Sequence, residues 1–248
     1  MIETTDLLLS VCLFVGAILY TSVGHAGASA YIAIMTMFNV AVATIKPTAL
    51  VLNIMVSAFT SWKYCNKGYY DLKLLIPVLL GAIPAAYLGG YIQAPSSLYK
   101  LLVGFVLLVS AIKLFAAEYK TENEVIKSCP FHMAVLIGMV IGFLAGLTGT
   151  GGGIFLSPVV LFFAWSTTRN SLGTASVFIL FNSIAGLLGN FAAVKNLPPT
   201  LPLFAASVLV GALVGTTIGT KYASNFALRK ILSVVLLIAA LKLMLSFF

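Results

Sequence analysis

Acidic side chains are scarce in this chain and missing from its apolar stretches. Glu3, Asp6, Asp71, Glu118, Glu122 and Glu124 are the whole set among 248 residues, and each lies at a terminus or in a polar connection. Cation pumps and proton relays usually keep a carboxylate in the pathway, so a cation cargo is disfavoured. Charge of either sign is scarce as well. Only 8% of residues are charged and 61% are hydrophobic, whereas soluble domains carry about 25% charged residues. High hydropathy runs the whole length, which excludes a soluble domain of any size. The apolar runs are long and continuous, which excludes the short alternating segments of a β-barrel. Cys12, Cys65 and Cys129 are far apart and form no CxxC spacing, so neither a disulfide framework nor a metal site is indicated. Two dispersed histidines and no acid in the apolar stretches offer no nucleophile–base or metal constellation. An enzyme is therefore not expected, and neither is a bound cofactor.

What is present is an all-α, polytopic integral membrane protein whose first partner is the lipid bilayer. The formal net charge of +8 comes from cations scattered singly in short connections. That distribution fits the positive-inside pattern of membrane proteins and not a nucleic-acid surface. The amino-terminal residues Met1-Ile2-Glu3-Thr4-Thr5-Asp6 lack the basic region of a cleavable signal peptide, so the first apolar segment is expected to be retained.

Apolar segments follow one another at about residues 7–38, 46–62, 74–93, 98–117, 131–164, 169–194, 198–220 and 228–248. The first would be about 48 Å long as one straight helix, well beyond a hydrocarbon core of about 30 Å. It must tilt, break or fold back, and residues 24–28 interrupt it. The fifth is interrupted in the same way at residues 149–153. Pro47 is suited to a first helical turn, and Pro77 and Pro84 are expected to bend the third segment. Lys100 and Lys113 can snorkel from the ends of the fourth.

Residues 118–129 form the most polar connection and separate an amino-terminal repeat, 1–117, from a carboxy-terminal repeat, 130–248. Each half carries four elements, the first long and broken at glycines. Gly24, Gly27 and Ala28 fall on Gly149, Gly152 and Gly153, and Thr48 and Ser57 fall on Thr174 and Ser183. Gly81 and Gly89 then fall on Gly211 and Gly219, and Lys100 on Lys230, with an offset that drifts only from 125 to 130. This ordered succession points to an internal duplication.

Two topologies fit. If each broken segment crosses once, there are about eight spans, and the lysines and arginines divide eight to six between the faces. If each broken segment is re-entrant, the halves are inverted and the cations divide ten to four, with Lys46, Lys100, Lys195 and Lys242 on the poorer side. The positive-inside rule favours the inverted arrangement, with both termini outside. Inverted repeats with broken helices near the midplane are also a recurring plan of secondary transporters.

The glycine breaks carry the chemistry. Each glycine costs a helix about 1 kcal/mol relative to alanine, and a broken backbone within a bilayer is tolerated only where protein or a water-filled cavity surrounds it. Close helix packing through small residues is the ordinary alternative. An anion can be held there by backbone N–H groups, helix N-termini and hydroxyls, without a fixed charge. The candidate substrate-binding residues are Gly24, His25 and Gly27 in the first break and Gly149, Thr150, Gly151, Gly152 and Gly153 in the second. Asn53, Ser57, Thr174, Ser176, Asn182 and Ser183 join them from neighbouring segments. Isolated Ser and Thr often bond back to their own helix, so it is their repetition beside the breaks that recommends them. His25, opposite Thr150 in the alignment of the halves, could bind the anion, carry a coupling proton, or simply pack. Lys46 and Arg169, ahead of corresponding segments, could draw anions into a vestibule or act as topology anchors.

The run Gly149-Thr150-Gly151-Gly152-Gly153-Ile154-Phe155-Leu156-Ser157-Pro158, with Gly173-Thr174-Ala175-Ser176 and Phe181-Asn182-Ser183-Ile184-Ala185-Gly186, resembles the TauE/SafE family of sulfite and organosulfonate exporters. The resemblance extends over essentially the whole chain. It implies a multi-pass transporter of the inner cell membrane that moves a small sulfur oxyanion or organosulfonate without an ATP-hydrolysing subunit. The first half departs from the glycine-rich pattern at His25 and Ala26, which bears on the cargo and the coupling ion. A secondary exporter working by alternating access is the leading expectation. A passive anion channel is the alternative, a membrane scaffold leaves the paired breaks without a purpose, and a homo-oligomer stays open.

Overall fold

A computed structural model describes residues 3–92, 108, 112, 115 and 126–245. The expected fourth segment at 98–117, with Lys100 and Lys113, falls largely outside the described residues, as do residues 118–125 of the polar connection. Every regular element among the described residues is helical. The helices are α1 (Thr4–Ser22), α2 (Ala28–Met37), α3 (Val42–Cys65), α4 (Leu72–Tyr91), α5 (Phe131–Thr148) and α6 (Gly153–Phe162). They continue with α7 (Thr168–Gly189), α8 (Leu201–Thr217) and α9 (Asn225–Leu245). A 3-10 turn, Phe191–Asn196, follows α7, and a π turn, Ile218–Tyr222, extends α8.

Six of these helices, α1, α3, α4, α5, α7 and α8, are long and apolar enough to cross a membrane, whereas α2 and α6 have only 10 residues each. At 1.5 Å per residue the short pair reaches about 15 Å, half a hydrocarbon core. Both broken segments therefore resolve into one full-length and one half-length helix. Exposed Leu8, Val11, Leu80, Leu136 and Val140 lie along the long helices as side chains facing lipid would. Exposed Trp62 and Tyr91 lie near helix ends, where aromatic rings suit the interface.

Polar caps mark where several helices meet water. Asp71 accepts from the backbone N–H groups of Lys73 and Leu74 at 3.0 and 3.3 Å, Thr167 accepts from Asn170 N at 3.2 Å, and Glu3 and Asp6 form a capping box on α1. The expected position of Pro47 in a first turn is corrected. Ala41 O accepts from Thr44 N and Ile45 N, which starts α3 a turn earlier and leaves Pro47 inside the helix. Pro77 and Pro84 lie inside α4. The segment expected to reach residue 194 stops as an α-helix at Gly189 and tightens into the 3-10 turn.

Cross-helix contacts fix the directions. Ser29 Oγ donates to Tyr20 Oη at 3.0 Å, and a Cβ on Gly16 would stand 3.4 Å from Ala30 and 3.3 Å from Ile34, so α2 folds back antiparallel along α1. Lys127 N donates to Ala164 O at 2.9 Å, which returns the end of α6 beside the start of α5. In α5, Gly138, Gly142 and Gly146 lie against the backbone of Val78, Ala82 and Ala86, so α4 and α5 run parallel. Gly211, Gly215 and Gly219 meet Phe14, Ile18 and Ser22 in the same sense, aligning α8 with α1. Small residues let these backbones touch, which is how helices gain packing energy in lipid.

One end of the bundle holds Lys46, whose Nζ donates to Gly90 O at 3.3 Å. The other holds Arg169, whose Nη2 donates to Ala223 O at 2.7 Å, with Tyr64 Oη donating to Ser22 O at 3.0 Å.

The α4–α5 seam generates a test. Gly142→Leu would drive a side chain into the Ala82 backbone and is expected to lower stability by about 3 kcal/mol or more. Gly186→Ala, whose Cβ would meet nothing nearer than 3.5 Å, is expected to be tolerated. Thermal unfolding in detergent, followed by size-exclusion chromatography, distinguishes the two.

Candidate functional site

The two breaks sit among the most buried polar side chains of the bundle. At the first, the N–H groups of Gly24 and His25 bond to Thr21 O and Tyr20 O, ending α1, and Gly27 takes φ +101° to start α2. At the second, Gly149 ends α5 at φ +77° and Gly152 starts α6 at φ +85°. These are left-handed conformations that glycine adopts without strain. Space imposes the same choice. A Cβ on Gly152 would stand 2.8 Å from the Phe178 ring, and one on Gly151 would run into the Asn53 amide.

A broken backbone at this depth must find partners. Asn53, on α3, accepts from Ala28 N at 3.1 Å through Oδ1 and donates to Ser183 Oγ at 2.8 Å through Nδ2. One amide therefore ties the start of α2 to α7. Asn182 donates to Gly151 O at 3.2 Å, and its Oδ1 has no hydrogen-bond partner among the described residues. His25 Nε2 lies 2.9 Å from Ser157 Oγ on α6, joining the first break to the helix that leaves the second. Its Nδ1 is buried and likewise without a partner among the described residues. The Thr150 and Thr148 hydroxyls lie 2.8 Å apart. Tyr31 Oη donates to Ala26 O, and its ring covers Gly27.

The two short helices are not capped alike. At the spacing that sets Thr48 opposite Thr174, Asn53 falls on Ile179. Ile179 packs against Gly153 at the start of α6, where Asn53 meets Ala28 at the start of α2. Isoleucine offers no acceptor, and the Gly152 cap residue of α6 supplies no side-chain hydrogen bond. The N-terminal N–H groups of α6 thus lack the amide that serves α2.

The structure brings His25, Asn53, Gly151, Gly152, Gly153, Asn182 and Ser183 together, with Gly24, Gly27, Gly149 and Thr150 in the adjoining turns. The remaining hydroxyls lie apart. Ser57 and Ser176 donate to Ile54 O and Gly173 O of their own helices at 3.2 and 2.7 Å. Thr174 accepts from Asp71 N at 2.9 Å, toward the Arg169 end. Two participants were not singled out from the sequence. Ser157 could have been found one helical turn beyond Gly153, and Thr148 as the hydroxyl just before the second break.

Lys46 and Arg169 part company. Arg169 donates to Ala223 O and Gly219 O, and its guanidinium stands 5.2 Å from the Tyr69 ring, so it ties the start of α7 to the turn that follows α8. Lys46 lines a cavity of about 550 Å³ with Ile32, Thr36, Asn39, Ile45 and Thr148. Thr148 connects that cavity to Thr150 and the second break. Among the described residues, no three His, Cys, Asp or Glu side chains gather to hold a metal.

The family model for the sulfite exporter TauE/SafE matches residues 8–243, and the chain belongs to this family. It is 40% identical over 245 residues to the probable membrane transporter protein y4hK of Sinorhizobium fredii, covering 98% of this chain and 99% of that protein. Two proteins of Bacillus subtilis, the probable membrane transporter proteins YjnA and YdhB, are 26% and 24% identical. These alignments cover 81% and 74% of this chain, and 83% and 78% of those proteins. No solved structure matches. The chain is thus a multi-pass membrane transporter.

Asn53→Ala would leave the Ala28 N–H and the Ser183 hydroxyl unpaired in a buried site. The expected cost is about 1–3 kcal/mol, read as a lower unfolding temperature of the detergent-solubilised protein. Ser176→Ala, which removes only a bond within its own helix, is expected to change it little.

Proposed function

We propose that this chain is a secondary transporter that exports a small sulfur-containing anion, such as sulfite or an organosulfonate, by alternating access around the two glycine breaks. The observation that carries this reading is the meeting of two half-length helices at their N-termini. From the breaks, α2 runs toward the Lys46 end and α6 toward the Arg169 end, and the His25–Ser157 contact joins them. Helix N-termini carry partial positive charge and free N–H donors, and opposed half-helices are a recurring means of holding an anionic cargo at mid-depth. The α6 end, with Ile179 where α2 has Asn53, leaves its donors to a ligand. Asn182 Nδ2 and the Thr150 hydroxyl extend the donor set, and the described acids, Glu3, Asp6 and Asp71, lie at helix N-termini away from it.

The two halves are read as an inverted duplication. The described cations Lys63, Lys67, Lys73, Lys127, Arg169, Lys221 and Lys230 then mark the cytoplasmic face of the inner cell membrane, and Lys46 and Lys195 mark the outer one. On this reading the structure is open outward through the Lys46 cavity and closed inward by Arg169 and Tyr64. Exchange between this state and its inverse moves the cargo. The coupling ion is taken to be a proton, with His25 as the titratable group at the breaks.

Sulfite flux into proteoliposomes, with and without a pH gradient, tests the reading. Saturable flux, competed by an organosulfonate and accumulated against its gradient, is expected; flux that only dissipates would identify a passive channel. Gly152→Leu, inserted but blocked by Phe178 and by its positive φ, is expected to lose transport, and unchanged flux would remove the breaks from the mechanism. His25→Ala is expected to alter the pH profile of flux, and an identical profile would return His25 to packing.

A further inference from the structure

Each break is covered by a residue near the start of a long helix of the other half, Leu172 of α7 over the first and Lys46 of α3 over the second, and the two residues differ in charge. Gly24 lies against the Leu172 backbone, whose carbonyl oxygen would be 2.5 Å from a Cβ at the glycine, with the Leu172 Cβ at 2.9 Å. Gly149 lies against Lys46, whose Cγ would also be 2.9 Å away. At the spacing that pairs Thr48 with Thr174, Lys46 and Leu172 are counterparts, and Gly24 and Gly149 pair at a spacing one residue shorter. Leucine, fully buried at 0% exposure, satisfies the packing demand at one break. Packing therefore does not require an ammonium at the other.

The surroundings of Lys46 give that ammonium a use. Its stem crosses Gly149, and its Nζ makes a single 3.3 Å bond, among the described residues, to Gly90 O in the last turn of α4. An ammonium carries three donors, so this long bond leaves capacity unused. The side chain also lines the 550 Å³ cavity, whose other walls are the apolar Ile32, Val40, Ala41 and Ile45 and the neutral Thr36, Asn39 and Thr148. Among the described residues, no other charged side chain lines that cavity. In walls of low polarity a single charge sets the local potential.

We propose that Lys46 is the charge-selecting residue of the Lys46-end mouth, where its ammonium exchanges the Gly90 carbonyl for the charged group of an anion bound for the second break. This rests on the transporter reading for its cargo but not for its electrostatics. Because the stem lies on Gly149 and the head on the end of α4, the exchange loosens a tie between α4 and α3 when the anion arrives. The mouth thereby senses occupancy where Leu172 at the other break cannot.

Two experiments separate this proposal from the function on which it rests. In the first, Thr36→Cys places a thiol in the cavity wall, and its modification is timed with sulfonatoethyl and trimethylammonioethyl methanethiosulfonate. The protein with its three native cysteines alone serves as background. With Lys46 present the anionic reagent is expected to be favoured, and Lys46→Gln is expected to lower the anionic-to-cationic rate ratio by about three- to tenfold, with Lys46→Arg restoring it. An unchanged ratio in Lys46→Gln would overturn the proposal whatever the cargo. In the second, sulfite flux through Lys46→Gln is expected to show a KM raised several-fold with a smaller change in kcat, and Lys46→Arg a KM near the original. An unchanged KM in an active Lys46→Gln protein would also overturn it. Failure of the native protein to transport any anion, with the reagent ratio still set by Lys46, would instead overturn the cargo reading and leave the charge selection standing.

Discussion

A backbone that stops being helical inside a membrane has to satisfy its own polar groups, because lipid offers no hydrogen bonds. That constraint organises this bundle. Two full-length helices end in the interior, the chain turns through left-handed glycines, and two half-length helices begin there. The amides of Asn53 and Asn182 are spent on the exposed backbone, one on the Ala28 N–H and the other on the Gly151 carbonyl. Helices α3 and α7 carry these amides and are accordingly the polar, buried centre. The glycine seams between α4 and α5 and between α8 and α1 let the backbones of these helices touch and hold the hairpins in the bundle.

What the breaks have in common is geometry; what separates them is chemistry. The glycines recur, and the half-helices recur with the same length. At matched positions, however, His25 stands opposite Thr150, Asn53 opposite Ile179, and Lys46 opposite Leu172. In each pair one member can hydrogen-bond or carry charge in a way the other cannot. On the proposed reading, two related halves supply equivalent scaffolds for the exchange of states, while the transporter handles one cargo at a time.

Much of this was legible beforehand because membrane solvation is unforgiving. Long apolar runs and missing acids led to a helical membrane protein, and glycine-dense interruptions located both breaks, since neither signal depends on tertiary detail. Helix ends were read less well. Pro47 suggests a first turn, but the Ala41 carbonyl supports an earlier start, and local residue preference does not report that competition. Within the site, Asn53, Asn182 and Ser183 stood out as amides and hydroxyls beside the breaks. Ser57, Ser176 and Thr174 carried the same signal, yet they bond locally or to Asp71, because rotation about a helix axis is invisible in composition. Arg169 and Lys46 looked equivalent as flanking cations; only the reach of each side chain separates a fastening from a cavity wall.

The central claim is that backbone N–H groups at the start of α6 hold the anion. Hydrogen–deuterium exchange on the protein in lipid nanodiscs, with and without saturating sulfite, tests it most directly. Slower exchange confined to the amides of Gly153 and Ile154 and their neighbours in the second break is expected, since the Phe155 N–H already bonds to Gly152 O. Unchanged exchange there, under conditions where sulfite is demonstrably bound or transported, would contradict it.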